Sequence, residues 1–104
     1  QVEDLLGRAT VDLQSEDVGA LVAGQCVLVT GAGGSIGSEL CRQLCGYRPQ
    51  RVLLVEQSEG ALFTIESELN GKGHAATVVP LVADILDAPR MQAIFTRYRP
   101  TVVF

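Results

Sequence analysis

The sequence predicts a doubly wound α/β fold with a parallel sheet of about four strands in the order 3-2-1-4. Three observations lead there. Four apolar, β-branched runs recur along the 104 residues, and they are continuous rather than alternating, as strands buried on both faces are. Segments with helical spacing separate them, which is the βαβ rhythm. A glycine-rich turn joins the first run to the first helical segment.

Taken in order, residues 1–24 read as an N-terminal extension. Gln1 to Gln14 shows no sustained period; a short helical stretch begins at Ser15-Glu16-Asp17, carries Leu21 and Val22, and ends at Gly24. The first strand is Cys26 to Val29. The first helix carries Ile36, Leu40 and Leu44 four apart and stops at Gly46. The second strand is Val52 to Val55. Its helix has Leu62, Ile65 and Leu69, with Ser58 as N-cap and Gly71 as the stop. The third strand, Val78 to Ala83, contains Pro80, which is tolerable only on a sheet edge, and position three is the edge in this order. Met91, Ile94, Phe95 and Tyr98 form the third helical face, with Asp87 as N-cap, Pro89 in the first turn and Pro100 closing it. The fourth strand is Thr101 to Phe104. Its outer edge has no partner in the sequence, so a homo-oligomer joined through that edge is expected. A domain rarely ends on such a strand, and the chain is expected to be the front part of a larger domain.

Composition narrows the function classes. Eight Lys+Arg against twelve Asp+Glu give a net charge of −4, with 47% hydrophobic residues and a mean hydropathy of +0.27. Such a chain packs a core. Its acidic balance argues against non-specific binding to nucleic acid or an anionic membrane surface. No apolar run approaches the roughly 20 residues of a membrane span, and no signal peptide is expected from the first residues given. Three cysteines fit a reducing, cytoplasmic setting better than a disulfide framework. Cys41 and Cys45 share a helix face but lack the further ligands a metal needs, so they read as small core residues and no metal site is expected. His74, in Gly-Lys-Gly-His, reads as a solvated loop residue.

The chemical signal is Thr30-Gly31-Ala32-Gly33-Gly34-Ser35-Ile36-Gly37, between a strand and a helix. Read as G-x-x-G-x-x-G, Gly31 permits the tight turn, Gly34 lets backbone approach a pyrophosphate, and Gly37 lets the helix pack closely. The N–H groups of Ser35 and Ile36 open the helix, where unpaired donors and the dipole favour an anion. In its strand-turn-helix setting this predicts a dinucleotide-binding, Rossmann-type domain over residues 25–104, of which the chain is the front half. The Gly-Lys-Ser/Thr ending of a P-loop is absent. Glu56 ends the second strand nineteen residues beyond Gly37, where a carboxylate accepts hydrogen bonds from the adenosine ribose. It would repel a 2′-phosphate, and neither Gln57 nor Ser58 brings a cation, so NAD is expected over NADP. Asp84, ending the third strand, is placed to receive the adenine amino group.

Thr30 to Gln43 resembles the bacterial nucleotide-sugar dehydratases of polysaccharide biosynthesis, the CapD-like branch of the extended short-chain dehydrogenase/reductase family. Glu3 to Arg8, Val55 to Glu59 and Tyr98 to Phe104 match it in place. The resemblance implies a Rossmann domain that oxidises a UDP-sugar at C4, eliminates water across C5–C6 and returns the hydride at C6, with UDP-N-acetylglucosamine as the usual substrate class. It implies that Gly31, Gly34, Ser35, Ile36 and Gly37 hold the pyrophosphate, that Glu56, Gln57 and Ser58 hold the ribose, and that Asp84 and Ile85 border the adenine. Long members carry a membrane-spanning N-terminal region that would anchor the parent protein at the inner membrane. The family's catalytic residues fall after the fourth strand, so none is assigned here. Tyr47 and Tyr98 are followed at the Tyr-x-x-x-Lys spacing by Arg51 and Val102. Where members often have Asp, this chain has Glu56. The same half-fold serves sugar 4-epimerases, ketoreductases and nucleotide-binding modules without chemistry, and the sequence leaves these open.

Overall fold

The computed structural model describes residues 16–104, so the resemblance at Glu3 to Arg8 lies outside the described residues. The elements run α1 (Glu16–Val22), β1 (Cys26–Thr30), α2 (Ser35–Cys45), β2 (Arg51–Glu56), α3 (Glu59–Gly71), β3 (Val78–Val82), α4 (Ala88–Tyr98) and β4 (Val102–Val103). The four strands form one parallel sheet in the order β3-β2-β1-β4. This is the order the sequence predicts. No helix among the described residues is long and apolar enough to cross a membrane.

The continuous apolar runs are explained by helices on both faces. On one face Val27, Val29, Val52 and Leu54 pack with Cys41, Leu44 and Cys45 of α2, Leu62, Ile65 and Leu69 of α3, and Val22 of α1. On the other, Leu28, Leu53, Val55 and Leu81 pack with Ile94 of α4, flanked by Met91 and Tyr98. The chain steps outward from β1 to β2 to β3 and then returns past β1 to β4. Crossovers of one hand put helices of opposite travel on opposite faces. Each fully buried Val or Leu contributes about 1.5–3 kcal/mol, and Val27, Leu28, Val29, Val52, Leu53, Leu54 and Val55 are all fully buried. Pro80 pairs with Leu54 on the outer strand β3 and is exposed. A residue without an N–H is tolerated there because one side of β3 has no ladder to complete.

Helix starts and ends both fall where the sequence places them, but the left-handed residues that turn the chain lie further on. The Ser58 hydroxyl accepts from Ala61 N (3.3 Å) and the Asp87 carboxylate from Arg90 N (3.1 Å), so both predicted N-caps are used. Gly46, however, stays right-handed at φ −72. The reversal after α2 comes two residues later, at Arg48 with φ 58. Gly71 is the last residue of α3, and the left-handed glycine is Gly73 at φ 90. After α4 the left-handed residue is Arg99, at φ 49. Tyr-Arg-Pro therefore occurs twice, at 47–49 and 98–100, each time as the joint from a helix into a strand. In both, the arginine turns the chain and the proline prevents the helix from continuing.

One ion-pair network ties α2 to α3. Arg42 grips Glu68 through Nε to Oε2 (2.5 Å) and Nη2 to Oε1 (3.0 Å), and its Nη1 reaches Glu39 at 3.1 Å. Lys72 adds 3.3 Å to Glu68 Oε2. The hydrogen bonds from Arg42 hold the Glu68 carboxyl down to about 2. A forked guanidinium–carboxylate pair is the geometrically specific form of this contact.

Candidate functional site

The glycine loop leaves the C-terminal end of β1. Gly31 has φ +60, the left-handed turn for which a glycine suffers no steric penalty. Its carbonyl accepts from Gly34 N at 2.9 Å and closes the turn. A Cβ on Gly37 would stand 2.0 Å from that same carbonyl oxygen, so α2 comes this close to the loop only because residue 37 has no side chain. Gly34 is the N-cap of α2 and makes no side-chain cap bond, and the first turn holds no acidic residue. The N–H groups of Ser35, Ile36 and Gly37 have no hydrogen-bond partner among the described residues. Together they present open donors at the positive end of an 11-residue helix, the arrangement that binds an anion.

Glu56 at the end of β2 is fastened on both oxygens. Gly33 N donates to Oε1 and Ser58 N to Oε2, each at 2.9 Å. A carboxylate offers about four acceptor positions, so each oxygen keeps one for a ligand hydroxyl. Asp84, just beyond β3, accepts from Leu86 N at 2.9 Å through Oδ1, which shapes the loop that presents Ile85 and Leu86. Those two side chains are 57% and 85% exposed and give the first cavity an apolar wall.

Among the described residues three cavities border the glycine loop; the smallest, of about 340 Å³, sets Gly33, Gly34 and Ser35 beside the Arg42–Glu68 pair, and the other two flank the loop. One, of about 560 Å³, brings together Gly31, Gly34, Glu56, Gln57, Asp84 and Ile85. The other, of about 510 Å³, lies between the start of α2 and the end of β4 and takes in Ser35, Ile36, Gly37, Leu40 and Phe104. Thr30, Gly31 and Gly34 line both, so the loop is the ridge between them. Neither lining contains a Lys or Arg. Of the residues singled out from the sequence, Ser58 lies in neither cavity. Its hydroxyl caps α3 and its N–H serves Glu56.

Sequence reasoning passed over Gly33. A Cβ there would meet Ala61 Cβ at 2.6 Å and the Ala61 backbone at 2.9 Å. Its need for glycine comes from α3, 28 positions on, which no local pattern reveals. Nor does the sequence mark Phe104 as a site residue. Its carbonyl accepts from both Thr30 N and Thr30 Oγ1 at 3.0 Å, and its side chain walls the second cavity.

The three cysteines lie apart from this end of the molecule's chemistry. All are buried and unpaired. Burial pushes the Cys41 and Cys45 thiols up to about 12 and about 11, far from the thiolate that a nucleophile or metal ligand requires. Among the described residues no group of His, Cys, Asp and Glu is arranged to hold a metal ion.

Comparison with known proteins agrees with the geometry. Among solved structures, Pen from Bacillus thuringiensis superposes with a TM-score of 0.64 at 23% identity, over 71% of this chain and 23% of that one. PRMT6 superposes with 0.63 at 13% identity, over 90% and 26%. Both likenesses concern the fold alone. Probable polysaccharide biosynthesis protein EpsC of Bacillus subtilis is 40% identical, and capsular polysaccharide biosynthesis protein CapD of Staphylococcus aureus 37% identical, each across the whole chain and 18% of the relative. The chain thus spans about a fifth of the length of these curated relatives. The family model for polysaccharide biosynthesis proteins matches residues 27–104, and the chain belongs to that family.

Proposed function

We propose that residues 25–104 are the front half of an NAD-binding Rossmann domain, that residues 1–24 are an extension preceding it, and that the whole protein is a nucleotide-sugar 4,6-dehydratase of bacterial surface polysaccharide biosynthesis. The observation that carries the reading is the ridge of Gly31 and Gly34 between two cavities, with three open N–H groups of α2 beside it. The residues suit a dinucleotide. The pyrophosphate would lie over Gly34, where a Cβ would intrude, and accept from Ser35, Ile36 and Gly37. The adenosine half would occupy the cavity of Glu56, Gln57, Asp84 and Ile85, its ribose hydroxyls donating to the Glu56 oxygens. The nicotinamide half would enter the cavity of Ile36, Leu40 and Phe104. NAD supplies hydride acceptance from the sugar and hydride return.

What this chain contributes is binding and orientation. The helix dipole and peptide N–H groups neutralise the pyrophosphate, Glu56 sets the ribose, and Ile85 and Leu86 cover the adenine from water. No acid or base for the sugar chemistry is assigned among residues 1–104, so sugar oxidation and elimination are ascribed to the whole protein. Family membership supports this and favours a UDP-sugar substrate such as UDP-N-acetylglucosamine. A cytoplasmic location suits such a substrate and cofactor.

Calorimetric titration tests the reading. The chain is expected to bind NAD more tightly than NADP, because a carboxylate near a 2′-phosphate costs on the order of 1 kcal/mol at 4 Å even in bulk water. Glu56→Ala should narrow the gap. Equal wild-type affinities for both cofactors, or binding of neither, would contradict it. The 104-residue chain by itself should leave UDP-N-acetylglucosamine unchanged.

A further inference from the structure

We infer that Glu56 is a positioning residue for the glycine loop: it latches Gly33 to the β2–α3 connection and so holds the anion-binding N–H groups in shape before any ligand arrives. The inference rests on the dinucleotide reading for the identity of the ligand and goes beyond it in assigning Glu56 a task independent of ribose.

The geometry requires such a latch. The segment from Gly31 to Gly34 is held by few contacts of its own. Ala32 N reaches Val55 O at 3.1 Å and Gly34 N closes the turn on Gly31 O. Gly33 lies between, and the bond from its N–H to Glu56 Oε1 is the polar tie between the loop's apex and the rest of the fold among the described residues. The other tie is steric, since Gly33 lies against Ala61 so closely that no Cβ fits. Glu56 is in turn fixed from its far side by Ser58 N, at the start of α3. One carboxylate therefore clamps together the end of β2, the apex of the loop and the N-terminus of α3. Hydrogen bonds from N–H groups to a charged acceptor are stronger than those between neutral groups. A residue acting only on ribose would have no reason to spend both oxygens on backbone. With Gly33 released, the loop and the first turn of α2 that follows it would no longer be set for a pyrophosphate, whatever the ligand's ribose does.

This role reverses the sign of an otherwise simple expectation. Glu56 is a negative charge beside an anion site. If charge were its whole influence, neutralising it would tighten the binding of inorganic pyrophosphate, which has no ribose to recognise. If Glu56 is the latch, neutralising it weakens pyrophosphate. The experiment compares wild type with Glu56→Gln, which keeps the length but has one acceptor oxygen, and Glu56→Asp, which keeps the charge but is a methylene too short to reach both donors. Amide exchange at Gly33 is read in the ligand-free chain, with the Leu28 and Leu53 amides of the sheet core as internal reference for folding. Pyrophosphate and NAD affinities follow by titration. Expected are faster Gly33 exchange, on the order of tenfold, in at least one variant with unchanged core exchange, and weaker pyrophosphate binding in that same variant. Unchanged Gly33 exchange in both variants overturns the latch. So does pyrophosphate binding that is unchanged or tighter while NAD alone weakens, which would make Glu56 a ribose ligand only. A wild-type chain that binds neither pyrophosphate nor NAD overturns the dinucleotide reading instead, and Gly33 exchange still decides the latch.

Discussion

Substituting alanine at Gly37 and at Gly34 should separate folding from binding within one loop. At Gly37 the new Cβ would be 2.0 Å from the Gly31 carbonyl oxygen and 2.7 Å from its carbon. That is about 1 Å closer than real Cβ atoms come to such a neighbour, and the neighbour is backbone. Over-packing of this kind costs about 1–3 kcal/mol, and a rigid partner puts it at the upper end. Alanine in place of glycine inside a helix returns about 1 kcal/mol. The net loss is about 1–2 kcal/mol, which for a chain of this size lowers Tm by ~4–8 °C per kcal/mol. At Gly34 the new Cβ would meet only Gly31 O, at 3.3 Å, and φ is −77, open to any residue. Stability should change there by less than about 1 kcal/mol. The methyl group would instead enter the space that both cavities share, so NAD binding should fall at least tenfold. Thermal unfolding followed by circular dichroism, paired with NAD titration, reads both effects. A Gly37→Ala chain as stable as wild type would refute the close-approach argument. Wild-type NAD affinity in Gly34→Ala would reduce the loop to a turn.

The Arg42–Glu68 pair gives a pH prediction. The folded carboxyl titrates near 2 against an ordinary 4.5, so its stabilisation is complete above about 4.5 and is lost as pH falls toward 2. Urea unfolding between those limits should show a shallower pH dependence in Glu68→Gln than in wild type, and identical slopes would remove the pair from the account. The fold's open edge gives another. Val103 on β4 is 51% exposed and its strand is paired on one side only, so the 104-residue chain should self-associate through β4. Sedimentation at tens of micromolar should show dimers that Val103→Lys disperses, and a strictly monomeric wild type would contradict this.

What could be read in advance was whatever a residue determines through its chain neighbours. Runs such as Val52 to Val55 announce two buried faces, Pro80 announces an edge, and Ser58 and Asp87 announce helix starts. Contacts across the fold left no local trace. Gly33 needs to be glycine because of Ala61, and Arg42 finds Glu68 across 26 positions, a spacing set by the crossover. The helix ends were legible, but the residue that reverses the chain after each was not. Gly46 offered the usual left-handed stop, yet Arg48 took that conformation after α2, as Arg99 did after α4, each directly before a proline. A following proline forbids the helix more firmly than a glycine invites its end. The position of Glu56 was legible, but its two backbone bonds depend on how the loop folds back over β2.

The absence of lysine and arginine from the walls of the two flanking cavities has a consequence for how an anionic ligand would arrive. Proteins that grip phosphates with cationic side chains draw them in from a distance and weaken as salt screens that pull. Here attraction would begin only within the first turn of α2, where peptide dipoles act at short range. Capture would depend on fit rather than on long-range pull, and with Glu56 and Asp84 in the first wall of a chain of net charge −4, added salt would screen a repulsion rather than an attraction.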